Sequence, residues 1–154
     1  MGLSQNDFEI GTAPVYLDAS ALAKLHIREP ESEMLGRAVR GHTRLYASDL
    51  AVTEVVSALA RRRREGSFPA EALHRAYRAI LARFEDGGLH KVELVAEVHR
   101  EAERLLLIPE ARLRAADALH LALALSVNAR RLVTYDVRLA AAAGRIGLTV
   151  WPES

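Results

Sequence analysis

The sequence predicts an α/β fold: a three-layer α/β/α sandwich around a central, mainly parallel sheet of four to five short strands. Two observations lead there. Short apolar runs of strand length alternate with stretches of helical periodicity along the whole chain. The 154 residues are most simply one domain, long enough to bury a core without covalent staples.

Residues 1–13 are polar and aperiodic and read as a flexible lead-in, followed by a single domain over 14–154. Val15-Tyr16-Leu17 has the character of a buried strand, and a helix is predicted from Ser20 to about Arg28. A second helix, over 31–40, carries Met34, Leu35, Ala38 and Val39 at helical spacing and stops at Gly41. Leu45-Tyr46-Ala47 reads as the second strand, with Ser48 and Asp49 as candidate N-caps of a helix running to Arg64. Val52, Val55, Val56 and Leu59 form that helix's apolar stripe.

Gly66, Ser67 and Pro69 separate it from a helix over 69–84, predicted to turn Leu73, Tyr77, Ile80, Leu81 and Phe84 inward. After a Gly87-Gly88 turn, residues 89–94 alternate like a strand, and 95–107 read as a helix broken at Ile108-Pro109. The stretch 114–129 is apolar all round and predicts a buried helix. Leu132-Val133-Thr134, a short helix over 137–143 closed by Gly144, and Leu148-Thr149-Val150 complete the chain.

Composition excludes several classes of protein. The chain has no cysteine, which removes disulfides, zinc–thiolate sites and cysteine nucleophiles and suits a reducing cytoplasm. No apolar stretch spans a bilayer, and the first residues lack the basic start and apolar stretch of a secretory signal. The expectation is a cytoplasmic protein with no membrane partner. A formal charge of +1 gives no overall field toward nucleic acid, so contact with a polyanion needs a local patch such as Arg61–Arg64. The ordinary reading of that run is a solvated helix end that complements the helix dipole.

Four acidic residues stand out: Asp18, Glu54, Asp117 and Asp136. Asp117 lies in the buried helix, where an unpaired carboxylate costs several kcal/mol or takes up a proton. Its ordinary alternative is a buried ion pair, with Arg114 one turn earlier as partner. It sits too far into the predicted helix for a simple cap. Asp18 and Asp136 each follow a predicted strand, and a parallel sheet brings such strand ends to one edge, where α/β folds build their sites. Each is equally explained as an N-cap.

Glu54 falls beside its helix's apolar stripe, and a solvated glutamate explains it; the spacing alone does not prefer it to Glu97 or Glu101. Thr134 shares a strand side with Asp136 and is a candidate to position a water or phosphate. Ser20 is a similar candidate beside Asp18. His120, one turn after Asp117, reads as a hydrogen-bonded core residue rather than a ligand. Tyr77, Phe84 and Trp151 suit core or interface roles and lack a base-stacking arrangement.

Clustered carboxylates without cysteine or paired histidines select a hard, oxygen-seeking ion, Mg²⁺ or Mn²⁺, over zinc. Such an ion neutralises the cluster and activates a water toward a phosphodiester. No glycine-rich phosphate loop or nucleophile elbow competes with this reading. Asp18-Ala19-Ser20 also lacks the second aspartate of an aspartyl-phosphate phosphatase.

The segments around these acids resemble a known family. Val15–Leu22 with Asp18, Ser48–Leu59 with Glu54, Arg114–Ala122 with its Asp117-Ala118-Leu119-His120, and Leu132–Asp136 look like the four acidic motifs of PIN-domain proteins. Their order and the terminal strand are most similar to VapC-type toxins of type II toxin–antitoxin systems, over about residues 14–152. The resemblance implies a PIN-like fold and a Mg²⁺- or Mn²⁺-dependent endoribonuclease. Asp18 and Asp117 would be direct ligands, Glu54 and Asp136 would complete the site directly or through water, and Thr134 would support it. It also implies RNA as substrate, a cognate antitoxin protein and a homodimer. A lead-in longer than such toxins carry is the one departure. Two rival readings are a non-catalytic module whose acidic pocket docks a basic partner segment, and a receiver-like domain with a phosphorylatable aspartate.

Overall fold

The structure is a computed structural model, described over residues 13–153. The predicted lead-in up to Thr12 lies outside the described residues. Five strands, β1 (Val15–Leu17), β2 (Leu45–Ser48), β3 (His90–Val92), β4 (Arg131–Val133) and β5 (Thr149–Trp151), pair in parallel in the order β3-β2-β1-β4-β5. The helices are α1 (Ala19–His26), α2 (Ser32–Ala38), α3 (Asp49–Arg64), α4 (Ala70–Glu85), α5 (Ala96–Leu106), α6 (Ala115–Ser126) and α7 (Val137–Arg145), with a 3₁₀ turn at Pro109–Ala111. The predicted three-layer sandwich is the observed one.

Alternation along the strands sorts the helices into two layers. Val15 and Leu17 of β1 and Val133 of β4 enter one core, with side chains from α1, α2, α3 and α4. Tyr16 and Leu132, one residue out of phase, enter the other with α5, α6 and α7. Strands clad on both faces explain the short unbroken apolar runs.

The chain builds outward from β1 to β2 and β3, then returns to lay β4 on the other side of β1. The carboxyl ends of β1 and β4 therefore flank the point where strand order reverses, the usual ligand crevice of an open parallel sheet. Asp18 and Thr134 are the first residues past those ends.

Several boundaries differ from expectation. On α4 the buried positions are Leu73, Ala76 and Ile80, while Tyr77 is 40% exposed. The small Ala76 lets that helix approach closely, and the inward stripe passes one residue before the tyrosine. Met34 of α2 is also exposed, with Leu35 and Ala38 facing the core. Helix α7 runs through Gly144 to Arg145, and Gly147, at φ 86°, makes the turn into β5. Helix α6 begins at Ala115 and ends at Ser126, three residues inside its predicted C-terminus.

Candidate functional site

Asp18 caps α1, its Oδ1 accepting from the Ala21 N–H at 2.9 Å and from the Ser20 hydroxyl at 2.7 Å. Its Oδ2 accepts from the Thr134 hydroxyl at 2.5 Å, 116 residues away in sequence. Thr134 Oγ1 in turn accepts from the Asp136 N–H, and Ser20 Oγ accepts from the Tyr135 N–H. The loops after β1 and β4 are thus laced together through two hydroxyls. The capping role considered for Asp18 is real, and it coexists with this cross-strand role.

Asp18 is 3% exposed, and among the described residues no lysine or arginine is seen hydrogen-bonded to it. Burial drives its pKa above the ordinary carboxylate range, against the opposing pull of Thr134, Ala21, Ser20 and, at longer range, His120. Replacing Thr134 by the isosteric valine leaves the Asp136 N–H without its acceptor and Asp18 without one donor. We expect Thr134→Val to lose roughly 1–3 kcal/mol in denaturant unfolding. A loss of no more than a few tenths would show the bridge to be idle.

Asp117 is buried at the third position of α6. That is where a capping-box acid reaches back to the N-cap, and its Oδ2 accepts from the Arg114 N–H at 3.1 Å. Two expectations are corrected here: Asp117 does take a capping bond, and its ion-pair partner is Arg138 of α7, at 3.5 Å, rather than the Arg114 side chain. Asp136 caps α7, its Oδ1 accepting from the Arg138 and Leu139 N–H groups.

Glu54 lies in the second turn of α3, its side chain 35% exposed and its Oε2 3.2 Å from His120 Nε2. His120 Nδ1 contacts the Tyr16 hydroxyl at 2.8 Å, and that hydroxyl meets Ser48 Oγ at 3.0 Å. His120 is the hydrogen-bonded core residue expected of it. Tyr16 is fully buried and its pKa is raised by desolvation, with further contributions from the charges of Asp18 and Glu54. Both acids therefore lie within electrostatic reach of one buried phenol. Tyr16, Ser48 and Arg138 are the contributors that sequence reasoning did not single out for the site.

The Arg61–Arg64 run occupies the last turn of α3, roughly 10–15 Å along the helix from Glu54. Arg62 there pairs with Glu29 and stacks on Phe68. The run complements the helix dipole and lies well along α3 from Glu54. Trp151 is buried against Tyr135.

Among the described residues, no three acidic or histidine side chains are gathered closely enough to hold one metal ion between them. Each carboxylate instead leans on its own helix terminus or partner. The donor set still fits a hard divalent cation. All four acids offer oxygen, and Asp18 is a buried carboxylate without a bonded cationic side chain. Protein hydrogen bonds to such a carboxylate are the usual outer support of a ligand.

A doubly clad parallel sheet with acids at the crevice between β1 and β4 defines the class of protein. The chain belongs to the PIN domain family, matched over residues 15–145. Within it the chain is of the VapC type: it is 37% identical to Ribonuclease VapC46 of Mycobacterium tuberculosis over 145 residues, covering 90% of this chain and 96% of that protein. Two solved structures share the fold. One is Mycobacterium tuberculosis VapC20, described as a toxin that cleaves the sarcin–ricin loop (TM-score 0.66, 19% identity, 83% of this chain and 94% of that one). The other is Rickettsia felis VapBC2 bound to a DNA fragment from its promoter (TM-score 0.59, 17% identity, 88% and 95%).

Proposed function

We propose that this protein is the toxin of a type II toxin–antitoxin pair, a Mg²⁺- or Mn²⁺-dependent endoribonuclease that hydrolyses RNA phosphodiester bonds. The observation that carries the reading is Asp18, a buried carboxylate at the strand-order reversal with no bonded cationic side chain, on a chain 37% identical to a named ribonuclease. Asp18 and Asp117 would hold the ion, with Glu54 and Asp136 completing its environment directly or through water. When bound, a divalent ion supplies charge neutralisation at the scissile phosphate and lowers the pKa of an attacking water.

The chain's own residues do the rest. Thr134 and Ser20 fix the Asp18 carboxylate, Arg138 balances Asp117, and the Asp136 cap sets the start of α7 beside them. No covalent nucleophile is needed. A cognate antitoxin and a homodimer belong to the same proposal, supported by the VapC-type relationship. Among the described residues no helix is long and apolar enough to cross a membrane, which suits the proposed cytoplasmic setting.

Purified protein should cleave RNA with Mg²⁺ or Mn²⁺ and stop on chelation, and induced expression alone should arrest growth with new RNA 5′ ends. Tight partner binding without metal-stimulated cleavage would instead favour the non-catalytic docking module.

A further inference from the structure

A closed ring of polar contacts sits beneath the acidic site, and its hydrogens can be placed by accounting alone. The Ala51 N–H donates to Ser48 Oγ at 3.2 Å, as an N-cap bond at the start of α3. Ser48 is wholly buried, so its own hydroxyl hydrogen needs an acceptor, and its other hydrogen-bonded neighbour is Tyr16 Oη. Tyr16 then donates onward to His120 Nδ1. An Nδ1 that accepts leaves the imidazole hydrogen on Nε2, aimed at Glu54 Oε2. The chain begins and ends on α3, passing through the end of β2, β1 and α6 between.

We infer that His120, locked by Tyr16 and Ser48 in the Nε2–H tautomer, is a positioning residue that holds one oxygen of Glu54 and leaves the other to face the site. Every donor and acceptor in the ring is used once in this direction. In the reverse direction the Ser48 hydrogen has no acceptor within the ring. The Glu54 side chain is 35% exposed, and it lies in a helix interior where no cap fixes it. Free, it would sample several rotamers. The ring supplies the anchor that helix termini supply to Asp18, Asp117 and Asp136. The effect on rate rests on the nuclease reading; the tautomer does not.

The test has two arms. In ¹⁵N-labelled whole protein, long-range ¹H–¹⁵N correlations of the imidazoles should show a single Nε2–H tautomer for His120, its peaks identified by their loss in His120→Gln. Tyr16→Phe should convert it to a mixture. An Nδ1–H or doubly protonated ring in the wild type near pH 7 overturns the inference. In the second arm, His120→Leu should lower kcat for RNA cleavage on the order of tenfold with KM little changed. His120→Gln, whose amide can donate to the same oxygen, should recover most of it. Undiminished kcat in folded His120→Leu removes the positioning role. The expected tautomer in a protein that cleaves no RNA under any divalent ion would sink the nuclease reading while leaving the ring intact.

Discussion

Asp117→Asn should abolish metal-dependent RNA cleavage while the protein stays folded. The substitution keeps an oxygen at the third position of α6 that can accept from the Arg114 N–H, so the helix start survives. It removes the negative charge that faces Arg138 and that would bind a cation. If the lost charge forfeits several kcal/mol of transition-state stabilisation, about 4 kcal/mol corresponds to on the order of a 10³-fold drop in kcat. Stability should move by only about 1 kcal/mol, because one hydrogen bond persists and Arg138 is partly solvated. Single-turnover cleavage and thermal unfolding, measured on the same preparation, separate the two effects. A folded Asp117→Asn protein that cuts at the wild-type rate would remove Asp117 from the site.

The sequence and the structure agree most closely where periodicity governs. Doubly buried parallel strands produce short apolar runs, and those runs marked β1, β2 and β4 to within a residue or two. Because strand ends in such a sheet converge, Asp18, Thr134 and Asp136 were legible as neighbours although 116 residues separate the first two. The start of helix α6 was legible to within a residue, with 114 expected and Ala115 observed. Asp117 looked too deep to cap because its bond is that of a capping box, made from the third helical position back to the N-cap backbone.

Tyr77 misled for a related reason. A tyrosine in an amphipathic helix scores as apolar, whereas the stripe ran through the small Ala76. The Tyr16–His120 contact joins a strand and a helix 104 residues apart in sequence, and no local spacing encodes it. Glu54 shows the same limit: its pattern gave no preference over Glu97 or Glu101, and only its contact with His120 draws it toward the other acids.

Divalent ions should stabilise the folded protein strongly, and that stabilisation should depend on Asp18. A carboxylate 3% exposed with no bonded cationic side chain has lost water without gaining an ion, which is why burial pushes its pKa up. A cation at the site would restore the missing partner in the folded state alone. At 100 times its dissociation constant, such an ion adds about 2.7 kcal/mol. For a domain of this size that is roughly a 5–10 °C rise in Tm. Mn²⁺ or Mg²⁺ titrated against thermal unfolding of the wild type should therefore give a saturable rise. Asp18→Asn keeps an oxygen for the Ala21 N–H and should still fold, but it withdraws the charge, so most of the rise should vanish. Equal rises in both proteins would move the ion away from Asp18, and no rise in the wild type up to tens of millimolar would remove the metal from the proposed mechanism.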